Sequence, residues 1–157
     1  MQWSDLDRAW MMLALNEARE AFENGEIPVG AVIVKDGTCI AAAHNRCERD
    51  HDATAHAERL AIERACKTLG SWRLSGCTMY VTLEPCPMCA GAAVSARISE
   101  VVYGAKDARA GAFGSLMDLS TLPLEHCPNV RYGLLSDEAQ SLMREFFSKM
   151  RENTKKS

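Results

Sequence analysis

The chain has 157 residues, 47% of them hydrophobic and 25% charged, the balance of an ordinary globular domain with a substantial core. Its net charge of -3 does not by itself mark a nucleic-acid binder, and no run approaches the length of a transmembrane helix. Seven cysteines, an odd number without a regular disulfide framework, together with an N-terminus that has neither a basic stretch nor an apolar run, lead us to expect a cytoplasmic protein with no membrane association.

Residues 4–24 read as an amphipathic helix capped by Ser4 or Asp5, with Leu6, Trp10, Leu13, Ala14 and Ala18 on its core face and Gly25 ending it. Residues 29–34 and 38–43 are short β-like runs, and the Asp36-Gly37 pair between them is a strong hairpin signature. Asp52 or Thr54 is expected to cap a helix running through His56, Leu60 and Ile62 to Leu69-Gly70. Strands at 78–83 and 98–103 flank a small-residue helix at 87–97, and a looser segment, 104–128, is placed to line a site. A last edge strand at 131–134 and a helix over 137–151, with basic Lys149, Arg151, Lys155 and Lys156, complete the chain. Strands alternating with helices after a leading hairpin predict an α/β fold: a mixed five-stranded sheet with helices on both faces, as one domain over residues 1–157.

Two segments carry the chemistry. Cys86 and Cys89 are three apart in Pro85-Cys86-Pro87-Met88-Cys89, a spacing that puts both thiols on one face of a helix, and Pro87 suits that helix's first turn. The positive end of such a helix favours the thiolates that zinc requires. His56 adds a nitrogen ligand from a distant segment. Glu58, two residues on, points away from His56 on a regular helix and is better placed to carry protons than to bind the ion. Three protein ligands leave a fourth position for water, which is the arrangement of catalytic rather than structural zinc. Each fragment alone has commoner explanations: a Cys-x-x-Cys is also a redox pair or half a structural zinc site, and His-x-Glu arises by chance. Together they match His-x-Glu followed by Pro-Cys-x-x-Cys, the zinc deaminase signature.

Over nearly its full length the chain closely resembles the bacterial tRNA-specific adenosine deaminases, zinc enzymes of the cytidine deaminase-like superfamily. The resemblance rests on residues 27–32, Asn45-Arg46, residues 52–58, residues 82–92 and residues 111–118, with Ala53 standing where the family often has Pro. It implies a three-layer αβα cytidine deaminase-like fold and hydrolysis of the anticodon wobble adenosine to inosine. His56, Cys86 and Cys89 would hold one zinc per subunit, whose hydroxide attacks carbon 6 while Glu58 shuttles protons. Asn45 would bond the base edge, with Val29 and the backbone of Ala57 lining the pocket. By the same resemblance Lys106, Asp107 and Arg109 contact the nucleotides flanking the target, Phe147 and Arg151 contact the anticodon stem-loop, and the protein is a homodimer. Two other readings remain open: a deaminase of free bases or nucleosides such as guanine or cytidine, and a non-catalytic zinc-stabilised binding module.

Overall fold

The computed structural model of the chain, which describes residues 2–156, is organised around a hairpin whose turn residues Asp36 and Gly37 both take positive φ, 50° and 73°. Gly and Asp reach that left-handed region at little cost, and two such residues in succession reverse the chain with the twist of the flanking strands. The turn joins β1 (Gly30–Lys35) to β2 (Thr38–His44), antiparallel, with Lys35 opposite Thr38. β3 (Cys77–Leu83), β4 (Glu100–Ala105) and β5 (Asn129–Tyr132) extend the sheet in the order β2-β1-β3-β4-β5. β3, β4 and β5 run parallel, and β1 runs against both of its neighbours. β2 and β3 therefore point the same way, and the helix between them is a crossover that steps over β1.

The helices are α1 (Asp5–Glu23), α2 (Cys47–Asp50), α3 (Ala57–Leu69), α4 (Pro87–Ser95) and α5 (Ser136–Lys155). Successive strand residues point to opposite faces, and both faces are apolar. Ala31, Ile33, Met79, Val81 and Val101 pack with Leu60, Ala61, Ala65, Ala90 and Ala93 of α3 and α4. Val32, Val34, Tyr80 and Val102 pack with Met11 and Ala14 of α1, and Ala105 meets Leu15 and Ala139 of α1 and α5. This is the expected three-layer αβα architecture. Among the described residues no helix is long and apolar enough to cross a membrane.

Several elements depart from expectation. α1 is rotated: Met11, Ala14, Leu15, Ala18 and Ala21 are buried, whereas Leu6 is 65% and Leu13 41% exposed. Gly30 explains the rotation, since a Cβ there would lie 2.5 Å from Ala18 N; the Ala14–Ala18 edge of the helix lies backbone to backbone on β1. Asp7, also on the buried face, accepts the Tyr80 hydroxyl at 2.7 Å. Asp52 and Thr54 do not cap α3. Asp52 Oδ1 instead accepts the N–H and the hydroxyl of Thr54, and His56 takes the N-cap position. α2 has no strong local determinant; the buried Glu26 carboxylate accepts its Glu48 and Arg49 N–H groups at 3.0 and 2.9 Å. β4 begins two residues later than expected, β5 lies two earlier, and α5 runs on to Lys155.

Candidate active site

The two ligand segments meet because each is the entry to a helix on the same face of the sheet. His56 is the extended N-cap of α3, and Cys86 is the extended N-cap of α4, with Pro87 just inside and Cys89 in the first turn. His56 Nδ1 lies 3.6 Å from the sulfur of Cys86 and 3.6 Å from that of Cys89, and the three donor atoms lie within 4.8 Å of one another. Zinc bonds of about 2.3 Å to sulfur and about 2.0–2.1 Å to nitrogen at a tetrahedral angle require N···S separations of about 3.6 Å. The donor set therefore fits a zinc ion in spacing as well as in type.

Its electrostatics also suit a cation. The two thiols are driven apart: Cys86 is drawn down to about 4, first by the hydrogen bond from Cys89 and then by His56, while the bond to Cys86 and burial push Cys89 up. A second thiolate needs a positive charge beside it. His56 is raised by its bond with Cys86. Glu58 lies in the first turn of α3, only 4% exposed, and burial raises its carboxyl to about 7. Its carboxylate is not one of the three clustered ligand atoms, but it lies beside them, in hydrogen-bonding contact with Cys89.

Above these groups opens a cavity of about 960 Å³. Its floor is His56, Glu58 and Cys86, with Val29 and Asn45 on one side and Lys106, Asp107 and Arg109 on another. α5 adds Gln140, Met143, Arg144 and Phe147 to its lining, and Ile27 lies there too. Asn45 is buried, and its Oδ1 accepts the Ala57 N–H at 2.8 Å. Ala57 does not itself line the cavity; it bears on the pocket through Asn45. Arg151 lies outside, exposed one turn beyond Phe147. The adjacent phenylalanines divide as neighbours on a helix must: Phe146 is buried edge-on against Phe22, and Phe147 is 38% exposed at the rim. Ile27, Gln140, Met143 and Arg144 were not anticipated. The spacing 140, 143, 144, 147 traces one face of a helix, which was the available clue.

The MafB19-like deaminase family model matches residues 6–151. A solved structure from a study of A-to-I editing by tRNA:A34 deaminases at the wobble position of transfer RNA superimposes with a TM-score of 0.82 at 47% identity, covering 85% of this chain and 98% of that one. A guanine deaminase from Nitrosomonas europaea gives a TM-score of 0.78 at 28% identity, covering 88% of this chain and 83% of that one. Fold and donor cluster together define the cytidine deaminase-like class. The tRNA-specific adenosine deaminase of Bacillus subtilis (strain 168) is 47% identical over 150 residues, 95% of this chain and 93% of its own length. Within the MafB19-like deaminases, the chain belongs to the tRNA-specific adenosine deaminase family.

Proposed function

We propose that this protein hydrolyses the wobble adenosine of a tRNA anticodon to inosine, adding water and releasing ammonia. The observation that carries the reading is the buried Glu58 beside the His56, Cys86 and Cys89 donors, on the floor of a cavity walled by Lys106, Asp107 and Arg109. His56, Cys86 and Cys89 would hold one zinc ion, a Lewis acid that makes water nucleophilic near neutral pH. Glu58 would take one proton from the attacking water and deliver it to ring nitrogen 1 of adenine, then take the remaining proton of the hydroxyl added at carbon 6 and pass it to the departing amine, which leaves as ammonia. Its burial keeps bulk water from competing for those transfers.

Asn45 has its oxygen committed to Ala57, which leaves the Nδ2 donor for an acceptor on the base edge, and Val29 offers an apolar surface to the ring. A base read in this way has first left the stack of its loop. Lys106, Asp107 and Arg109 then meet the flanking nucleotides, Phe147 supplies a stacking face, and Arg151 meets a phosphate of the anticodon stem-loop. Cytoplasmic action of one deaminase domain as a homodimer completes the proposal, in keeping with the family resemblance.

The structural likeness to a guanine deaminase supports a second reading, deamination of free bases or nucleosides. The cavity weighs against it: about 960 Å³ is near the top of the roughly 300–1,000 Å³ range of small-molecule pockets, more room than a lone purine fills. The purified protein should be given an anticodon stem-loop with adenosine at the wobble position and, separately, adenosine, guanine and cytidine, with products read by mass spectrometry. Inosine in the stem-loop is expected; turnover of the free compounds alone would establish the second reading.

A further inference from the structure

One buried carboxylate beside the site takes no part in the chemistry above. Glu84, the residue after β3 and two before Cys86, is 2% exposed, and its side-chain partners among the described residues are backbone N–H groups and a hydroxyl, with no basic side chain. Its charge is met by four donors from a single loop. Oε1 accepts the Asp107 N–H at 3.0 Å and the Ser115 hydroxyl; Oε2 accepts the N–H groups of Phe113 and Ser115, each at 3.1 Å. The seat exists because residue 111 is glycine: a Cβ there would fall 2.5 Å from Glu84 Oε1.

We propose that Glu84 is a positioning residue for the substrate: its carboxylate fixes the 107–115 loop, and with it the cavity wall of Lys106, Asp107 and Arg109, relative to the Cys86 end of the site. The inference rests on the reading of that wall as RNA-facing. The bonds pass directly from Glu84 to the wall. Asp107, held by Glu84 at its N–H, accepts the Arg109 and Ala110 N–H groups through its own Oδ1 at 3.0 and 3.3 Å. The Ala112 N–H bonds the Pro85 carbonyl at 2.8 Å, and Glu84's own N–H bonds the Ala105 carbonyl at 2.8 Å, so the loop and the strand end that leads into it are both tied to the two residues that precede Cys86. Only a carboxylate suits this seat, because each oxygen receives two donors. A glutamine amide would keep one accepting oxygen and turn N–H groups toward N–H groups.

The test uses the full-length zinc-loaded protein with Glu84→Gln and, as the milder change, Ser115→Ala. Hydrogen exchange of the 107–115 amides, zinc per chain, and kcat and KM on the anticodon stem-loop are measured. For Glu84→Gln, exchange of those amides should quicken about tenfold and KM rise about tenfold, with kcat within about threefold and zinc stoichiometry unchanged. Ser115→Ala should move exchange and KM in the same direction by about threefold, and it decides the matter if Glu84→Gln does not fold. Unchanged exchange and KM in the folded variants would overturn the proposal. So would a loss of zinc and kcat without a change in KM, which marks a residue that supports the ligand loop instead. Failure of the wild-type protein to act on the stem-loop would defeat the functional reading, while the exchange arm would still report whether Glu84 orders the loop.

Discussion

The Asn45 side-chain oxygen accepts the Ala57 backbone N–H at 2.8 Å in the interior, so a side chain that lines the cavity, and that we propose reads the base edge, also anchors the first turn of the helix that carries Glu58. An amide is the group that can do both, accepting with one atom and donating with the other. Asn45→Asp keeps the acceptor and loses the donor; it should lower kcat/KM by about a hundredfold, in line with the large penalty for an unmatched polar contact to substrate, and it should also lower the melting temperature, because it buries a carboxylate without a cationic partner. Asn45→Ala leaves the Ala57 N–H buried and unpaired, at a cost of about 1–3 kcal/mol, and should melt lower by roughly 2–4 °C for each kcal/mol. Thermal melts beside steady-state kinetics separate the two effects.

Glu58 is the group whose loss should be most selective. Glu58→Gln preserves shape and removes the proton carrier, so deamination should fall by at least about 10²–10⁴-fold. Zinc content should stay at the wild-type value, and stability should hold or rise, because a neutral amide replaces a carboxyl that burial disfavours in its charged form. Retained turnover would remove Glu58 from its role.

Metal dependence follows from the donor geometry. One zinc per chain by elemental analysis is expected, with activity abolished by a chelator and restored by added zinc. Cys89→Ala should lose both metal and activity and melt below the wild type, since an ion bound only by the folded chain stabilises it. A chain that is fully active after exhaustive chelation would contradict the assignment of His56, Cys86 and Cys89.

Far from the site, Asp7 joins α1 to the sheet and sets a pH-dependent contribution to stability. Burial alone would raise its carboxyl, but the Tyr80 hydroxyl, the Ser4 N–H and Arg131 outweigh it and hold the group at about 2, against an ordinary 3.8. A depressed carboxylate stabilises the fold above its unfolded value and loses that contribution as pH falls through the folded one. Asp7→Asn should therefore be less stable than wild type by about 1–2 kcal/mol at pH 5–7, with the difference shrinking between about pH 4 and pH 2. Denaturant titrations across that range read it directly.

The grouping of His56, Cys86 and Cys89 was legible because a shared cation restricts both residue type and local spacing, and the hairpin was legible because Asp36-Gly37 meets a backbone requirement that few pairs can. Where packing decided, sequence was silent. Leu6 and Leu13 are as apolar as any core residue, yet the close approach at Gly30 turns α1 so that Ala14 and Ala18 face the sheet. Gln140 and Arg144 read as easily as a solvated face as the wall of a cavity. Glu84 is the clearest case, since its donors lie 23 to 31 residues away and no local pattern connects them.

The most direct measurement is mass spectrometry of the anticodon loops of tRNA from cells depleted of this protein and supplied with either the wild-type chain or Glu58→Ala. Wobble inosine should vanish on depletion, return with the wild-type chain and stay absent with the variant, adenosine standing in its place. Inosine that persists without the protein, or that returns with Glu58→Ala, would contradict the proposed reaction.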